Sequence, residues 1–143
     1  MFCLFSNIYI CSSTELNYLN LSNFNFVINC SKKLNALYTS PNYINLNIDN
    51  FTKENLNILS DLYTWIETNF LSNKFIILDD TGLDNAMIVC LYMVMKSSNH
   101  GFNIVYDQAN KFLKLNDKSV YKILLDNENN IIKNNFFLDQ QKK

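Results

Sequence analysis

The segment that decides the fold is KFIILDDTGLDNA, residues 74–86, in which an apolar run is followed at once by acidic residues. Residues 74–78 have the composition of a short strand that is buried on both faces, as in the middle of a parallel sheet. Residues 79–84 contain Gly82 and predict a tight loop. Residues 86–95 are apolar almost all round, which predicts a helix buried in the domain. Strand, loop and buried helix in this order are typical of a ligand-binding loop at the carboxyl edge of an α/β sheet.

The flanking sequence supplies the other elements of such a sheet. Apolar runs at 2–10, 24–30 and 43–48 predict strands, the first of them interrupted by Ser6-Asn7. From 53 to 70, apolar residues recur at spacings of three and four, which predicts a helix with Thr52 as its cap. Two further helical stretches follow, the second capped by Asp117, and their apolar stripes are Phe102, Val105, Ala109, Phe112 and Leu113, then Val120, Tyr121, Leu124 and Leu125.

Length and composition indicate one folded domain. The chain has 143 residues, 48% of them hydrophobic and 14% aromatic, which is enough for a sizeable core without disulfides. Neither a repeat nor a linker interrupts it, so we predict a domain over residues 1–126 and a C-terminal extension over 127–143. The extension carries the apolar clusters Ile131-Ile132 and Phe136-Phe137-Leu138, through which it either packs on the domain, contacts a partner or stays mobile.

Charge and cysteine content exclude several classes of function. The net charge is −1, all twelve cations are lysines, and no basic run occurs, which argues against nucleic acid and membrane surfaces as partners. No apolar stretch is long enough to span a membrane. The cysteines lack C-x-x-C spacing and His100 is the single histidine, so we expect buried reduced thiols, no metal site and no cofactor. The four cysteines are Cys3, Cys11, Cys30 and Cys90.

The order of these segments resembles the cysteine-dependent dual-specificity protein phosphatase family. Residues 8–12, IYICS, resemble its opening strand I-Y-I-G-S, and residues 27–29, VIN, resemble its V-I-N strand. Residues 43–49 resemble the segment that ends in the general acid, here Asp49, and residues 74–86 resemble the strand and phosphate loop K-x-x-V-H-C-x-x-G-x-S-R-S. The likeness covers roughly residues 7–125. It implies an α/β fold with a central, mostly parallel sheet flanked by helices.

The departures from the family pattern concern its chemistry. Alignment on Gly82 places Asp79 at the nucleophilic cysteine and Asn85 at the phosphate-binding arginine. Leu78 stands at the histidine, Asp84 at the serine and Ala86 at the hydroxyl residue, while Asp49 retains the general-acid position. The resemblance therefore implies a pseudophosphatase, a relative with no catalytic residue. Its degenerate loop comprises Leu78, Asp79, Asp80, Thr81, Gly82, Leu83, Asp84, Asn85 and Ala86.

Electrostatics predicts that this loop rejects phosphate. Asp79, Asp80 and Asp84 place three carboxylates around a cradle that in the family binds a dianion. Two like charges about 4 Å apart repel by roughly 4 kcal/mol at an effective dielectric of about 20. A charge-assisted hydrogen bond contributes only about 1.5–3 kcal/mol. We therefore expect that Asp79 or Asp80 accepts the loop's own N–H groups, and that Asp84 caps the buried helix.

Three functional hypotheses follow. The leading one, which the resemblance implies, is a binding protein that modulates phospho-signalling in the cytoplasm or nucleus. Its partner would be a phosphatase target, an active phosphatase or a second copy in a homodimer. The second is a Mg²⁺-dependent hydrolase using Asp79 and Asp80, although aspartate-nucleophile phosphatases have D-x-D-x-T and here no residue separates the two aspartates. The third is a structural homo-oligomeric subunit. The many asparagines indicate an AT-rich genome, so a viral origin, of poxvirus type, is a further hypothesis.

Overall fold

The computed structural model describes residues 2–5, 8–12, 24–30, 43–46, 51–68, 73–79 and 83–132. The strands in these ranges are β1 (Phe2–Phe5), β2 (Ile8–Ser12), β3 (Phe26–Asn29), β4 (Tyr43–Asn45) and β5 (Phe75–Asp79). The α-helices are α1 (Leu56–Thr68), α2 (Asn85–Ser98), α3 (Phe102–Asn110) and α4 (Lys122–Asp126), with 3-10 turns at Lys53–Asn55 and Lys118–Tyr121.

The strands form one mostly parallel sheet in the order β1-β2-β5-β3-β4. The central strand β5 pairs in parallel with β2 on one side and with β3 on the other. β4 extends the sheet in parallel beyond β3, and only β1 is antiparallel, at the outer edge of β2. All five residues of β5 are buried, as expected for a strand that is covered on both faces. The predicted α/β class with a mostly parallel sheet is confirmed.

The first strand of the prediction was wrong in its connectivity. Residues 2–10 do not form one interrupted strand, since β1 and β2 are two antiparallel strands with Phe2 opposite Ile10. A short connection allows such a reversal, and apolar residues on both of its sides look like a single strand in sequence. The connecting Ser6-Asn7 pair lies outside the described residues.

Helix α1 contacts the sheet through Trp65, and its buried face is the apolar stripe that the sequence predicted. The 3-10 turn Lys53–Asn55 leads into it, and the backbone N–H of Thr52, the predicted cap, donates to Asn55 Oδ1 at 3.0 Å. The ring of Trp65 meets Phe26 of β3 edge-on, with 4.7 Å between the ring centroids. The fully buried members of the stripe are Leu59, Leu62 and Ile66.

The chain divides into two compact units, Met1–Cys90 and Leu91–Lys143, with the division inside α2. In the second unit, the hydroxyl groups of two tyrosines form hydrogen bonds with the backbone of Asn116, in the segment between α3 and α4. The Tyr106 hydroxyl donates to the Asn116 carbonyl oxygen at 2.7 Å, and the Asn116 N–H donates to the Tyr121 hydroxyl oxygen at 3.2 Å. Asp117 accepts from the Ser119 N–H at 3.1 Å, as its predicted capping role requires.

Part of the apolar stripes predicted for this second unit was wrong. Phe112 is not in the core but 74% exposed, because α3 ends at Asn110 and Phe112 lies in the turn that follows. Val120 and Leu125 are 42% and 40% exposed. The remaining stripe residues that are fully buried are Phe102, Val105, Ala109, Tyr121 and Leu124.

The beginning of the predicted extension packs against the second unit. Residues 128–132 are helical and Ile131 is buried. The Glu128 carboxylate accepts the N–H of Phe102 at 2.5 Å, at the start of α3. Gly101 leaves room for this contact, because a Cβ there would lie 2.5 Å from Glu128 Oε1. The other apolar cluster, residues 136–138, lies outside the described residues, and the boundary after residue 126 stays a prediction.

Candidate functional site

The candidate site lies where the parallel strands end. In β5, Asp79 is the last residue and stands beside Ser12, the last residue of β2. On the other side, Cys30 follows β3 and its N–H donates to the Leu78 carbonyl oxygen at 2.7 Å. Parallel strands bring their carboxyl ends to the same edge, which is where open α/β sheets bind ligands. The predicted loop therefore begins at the predicted edge of the sheet.

The side chain of Asp79 caps the start of helix α2. Its side chain is only 4% exposed, and its Oδ2 accepts the backbone N–H of Ala86 at 2.8 Å. Ala86 is the second residue of α2, so this N–H has no acceptor within the helix. A carboxylate at this position also interacts favourably with the helix dipole. An aspartate, Asp79, therefore accepts an N–H of the first turn of α2. The N–H groups of residues 80–82 lie outside the described residues, so the expectation that an aspartate accepts the loop's own N–H groups stays a prediction.

The other predicted loop residues are distributed around this contact. Asp84 directly precedes α2, and its carbonyl oxygen accepts the Ile88 N–H at 3.0 Å, so Asp84 lies at the capping position of the helix. Its side chain is exposed, whereas Leu83 and Asn85 are half-buried and Leu78 and Ala86 are buried. The remaining residues of the predicted site, Asp80, Thr81, Gly82 and Asp49, lie outside the described residues, so their placement stays a prediction.

Three free cysteines lie buried within electrostatic reach of Asp79, namely Cys11, Cys30 and Cys90. Burial, with a smaller contribution from the negative charge of Asp79, raises the pKa of Cys11 to about 11. The same two causes raise the pKa of Cys30 and of Cys90 above the ordinary thiol value. These thiols are therefore protonated at neutral pH, which is the opposite of an activated nucleophile. Burial of these three, expected from the sequence, is confirmed.

No pattern in the sequence indicated that these thiols lie within electrostatic reach of Asp79. Cys11 lies in β2, Cys30 follows β3 and Cys90 lies in α2, so they are far apart along the chain. Only the strand order β2-β5-β3 places Cys11 and Cys30 on either side of β5. The usable signal was that each cysteine stands near the carboxyl end of an apolar strand or in the predicted buried helix.

We expect iodoacetamide to modify these three cysteines very slowly in the folded protein. At a pH of about 8, a thiol with a pKa near 11 is about 100-fold less ionised than an ordinary cysteine, and burial restricts access further. Peptide mapping by mass spectrometry reads each site separately, and the same protein unfolded in guanidinium chloride is the control. Rapid labelling of Cys11, Cys30 or Cys90 in the folded protein would contradict the protonated, buried state.

Two further features bear on the site. Among the described residues, no group of three or more His, Cys, Asp or Glu side chains is arranged to hold a metal ion. Nor does that part of the chain contain a helix with the length and apolar character needed to cross a membrane.

Solved structures of protein phosphatases share this architecture. The PTP-2 phosphatase of Cydia pomonella superposes with a TM-score of 0.70 at 10% identity, covering 86% of each chain. A leucine-rich-repeat and phosphatase-domain protein of Entamoeba histolytica gives 0.70 at 12% identity, covering 99% of this chain and 94% of its own. The human tyrosine phosphatase-like serine/threonine/tyrosine-interacting protein gives 0.62 at 12% identity, covering 87% and 92%.

These comparisons concern the fold. No protein-family model matches the sequence, and no curated protein matches it. The similar structures nevertheless span nearly the whole of this chain and of their own, so the chain has the fold of the dual-specificity and tyrosine phosphatases. The junction of β5 with α2 is then the region that the sequence resemblance assigns to the phosphate loop.

Proposed function

We propose that this chain is a phosphatase fold that does not hydrolyse phosphate esters and acts by binding another protein. The observation that carries the proposal is the Asp79 carboxylate, which is 4% exposed and bonded to the Ala86 N–H at 2.8 Å. The resemblance puts Asp79 at the position of the attacking cysteine. The carboxylate therefore stands in place of the nucleophile. It also occupies the Ala86 N–H, one of the groups that would otherwise bind an anion.

The chemistry of the replaced residues supports the absence of hydrolysis. A thiolate attacks phosphorus readily, whereas Asp79 is engaged as a hydrogen-bond acceptor. The chain has no arginine, and the ammonium group of a lysine lacks the planar fork that binds a phosphoryl group through two parallel bonds. Nor do the buried thiols beside Asp79 offer a substitute nucleophile, because their pKa values are raised.

Charge repulsion supports the same proposal. A phosphate dianion seated at the start of α2 would compete with Asp79 for the Ala86 N–H and would face the Asp79 charge directly. Two like charges about 4 Å apart repel by roughly 4 kcal/mol. One charge-assisted hydrogen bond stabilises by only about 1.5–3 kcal/mol. The loop would therefore keep its own carboxylate in preference to a phosphoryl group.

A phosphatase fold without hydrolytic activity can still act by binding another protein. The human neighbour is named as phosphatase-like and as interacting with serine, threonine or tyrosine, which supports the same kind of role for this chain. The proposed partner is a protein: a phosphatase target, an active phosphatase or a second copy of this chain. Acting in the cytoplasm or nucleus, the complex would modulate phospho-signalling by shielding or competing for such a target.

An aryl-phosphate hydrolysis assay, with and without Mg²⁺, tests this proposal. We expect no turnover above the buffer blank in either condition, for the wild type and for Asp79→Ala alike. An active dual-specificity phosphatase serves as the positive control, and Asp61→Ala, which removes an exposed carboxylate from α1, serves as the matched variant.

Two outcomes of this assay, together with a measurement of solution mass, separate the hypotheses. Mg²⁺-dependent turnover that disappears in Asp79→Ala but survives in Asp61→Ala would replace the proposal with the aspartate-dependent hydrolase. Metal-independent turnover would show an active phosphatase. The third hypothesis, a structural homo-oligomer, predicts a solution mass well above the 16.7 kDa of one chain at every concentration measured.

A further inference from the structure

The outer side of strand β1 offers a place for a further strand. The sheet has five strands in the order β1-β2-β5-β3-β4, so within the described residues β1 pairs with β2 and with no strand on its other side. A strand at the edge of a sheet presents a row of backbone N–H and C=O groups that a strand of another chain can pair with. We call this side of residues 2–5 the β1 edge.

The composition of β1 does not protect this edge. Its residues are Phe2, Cys3, Leu4 and Phe5, with no lysine, other charged residue or proline among them. Charged residues and proline are the usual means by which natural proteins keep an edge strand from pairing. The first charged side chain of the sequence is that of Glu15, so the side chains of the whole β1–β2 hairpin are uncharged. They therefore set up no charge repulsion against an equally uncharged strand.

The opposite edge of the sheet is less suited to pairing. There, β4 has only three residues, Tyr43–Asn45, and one of them is an asparagine, a residue type that is depleted in strands. Phenylalanine, which is enriched in strands, occupies two of the four positions of β1. Of the two edges, β1 thus has the longer strand and the higher strand propensity.

An irregularity in β1 limits how strong such pairing can be. Phe2 is opposite Ile10 and Cys3 is opposite Tyr9, but the register shifts before Phe5 pairs with Ile8. A bulge bends and twists a strand, which shortens the stretch that another strand can follow. Pairing over at most the four residues of β1 buries little surface, so we expect a weak association.

We propose that the β1 edge pairs with the β1 edge of a second copy of this chain, antiparallel and about a two-fold axis. A two-fold axis perpendicular to the sheet makes the strands antiparallel and the interface self-complementary, so one surface serves both copies. The pairing joins two five-stranded sheets into one continuous sheet. The uncharged hairpin favours a second copy as the occupant, and the net charge of −1 per chain adds little repulsion at longer range.

This proposal rests on the proposed function in supposing that the chain acts by binding protein, and it assigns a surface to one of the partners named there. It does not involve the junction of β5 with α2, because β2 separates β1 from β5. A weak dimer also differs from a structural homo-oligomer, since a weak dimer dissociates on dilution.

Analytical ultracentrifugation of the full-length chain, from about 1 µM to about 1 mM, tests the pairing by mass action. We expect the 16.7 kDa of one chain at the low end and a shift toward twice that mass at the high end. Phe2→Lys and Cys3→Lys each place a charge on the β1 edge and should weaken dimerisation about 5-fold or more. Neighbouring positions of a strand point to opposite faces, so the variant that keeps the wild-type urea midpoint is the informative one.

Asn57→Lys is the matched control, because it adds the same charge at an exposed position of α1. It should leave the dissociation constant unchanged. An effect of Asn57→Lys as large as that of the folded β1 variant would mean that net charge, rather than the β1 edge, controls the association, and would overturn the proposal.

Oxidative crosslinking with copper phenanthroline locates the contact without a disruptive substitution. Directly opposite residues of antiparallel strands have Cα atoms about 4.5–5.5 Å apart, within the range of a disulfide. We expect a reducible dimer through Cys3 or, if the two-fold axis passes beside residue 4, from Cys3→Ser/Leu4→Cys. Cys3→Ser alone should give no crosslink, because Cys11, Cys30 and Cys90 are buried.

The outcomes that overturn the proposal are specific. They are a wild type that stays monomeric at the highest concentration, a folded Phe2→Lys or Cys3→Lys that dimerises as strongly as the wild type, and no crosslink at either residue 3 or residue 4. A mass above that of one chain that does not fall on dilution also overturns it, in favour of the structural homo-oligomer. Hydrolysis is measured separately, so each of these results leaves the test of the proposed function unaffected.

Discussion

Replacing Phe75 with Ala is expected to lower the free energy of unfolding by about 3–5 kcal/mol, the usual cost of removing a fully buried aromatic side chain. Phe75 is 0% exposed and is the first residue of β5, which pairs with β2 on one side and with β3 on the other. Its ring stacks on Phe26 with 4.9 Å between centroids and meets Trp65 of α1 edge-on at 6.4 Å. The truncation would leave a cavity where the sheet and α1 meet.

Urea denaturation followed by circular dichroism measures this loss, with the fluorescence of Trp65, the single tryptophan, as a second probe. The control makes the same chemical change at an exposed site. Phe112→Ala removes a ring that is 74% exposed and should change stability by no more than about 0.5 kcal/mol. If the two variants lost similar stability, the placement of β5 at the centre of the sheet would be wrong.

The elements around Phe75 were predictable because their signal is local. A strand buried on both faces must be apolar throughout, so residues 74–78 identified the centre of the sheet without any knowledge of its neighbours. Likewise, the spacing of Leu59, Leu62 and Ile66 identified the buried face of α1. The strand order β1-β2-β5-β3-β4 was not predicted, because it depends on long-range pairing. The resemblance to phosphatases implied only that the central sheet is mostly parallel.

Two errors came from patterns that continue past the end of an element. Phe112 fits the apolar spacing of α3, but the helix ends at Asn110 and the turn points Phe112 into water. In the first strand, apolar residues on both sides of Ser6-Asn7 concealed the reversal between β1 and β2. In both cases hydrophobic periodicity describes the composition of a segment, whereas the direction of the backbone is set by hydrogen bonds that the sequence does not display.

At the candidate site, the sequence predicted the kind of contact but not its partners. That an aspartate would accept N–H groups followed from the acidic residues before a helix, and either Asp79 or Asp80 could have done so. At the Ala86 N–H the acceptor is Asp79, the last residue of β5, whose side chain lies at the start of α2. The pKa values of the three thiols are raised mainly by burial, which the sequence predicted. The smaller contribution of the Asp79 charge depends on the convergence of β2, β3 and α2 and had no counterpart in the sequence.

The second large effect is expected from Asp79→Ala, which should lower the free energy of unfolding by about 1–2 kcal/mol, the typical cost of removing a helix cap. The substitution removes the acceptor of the Ala86 N–H, and Ala86 is fully buried, so water cannot easily replace the carboxylate. Asp79→Asn keeps an acceptor oxygen and loses the charge at the helix start, so it should fall between the wild type and Asp79→Ala.

Chemical denaturation ranks the three proteins, and amide hydrogen exchange at Ala86 reports the contact itself, with faster exchange expected in Asp79→Ala. Asp61→Ala, which removes an exposed carboxylate of α1, should stay within about 0.5 kcal/mol of the wild type. A different order would be informative: if Asp79→Ala were as stable as the wild type or more so, the carboxylate would be a buried charge that the fold tolerates rather than a cap. Asp79 would then not be a substitute for phosphate in the cradle, since a substitute must make the start of α2 more stable than it is without the carboxylate.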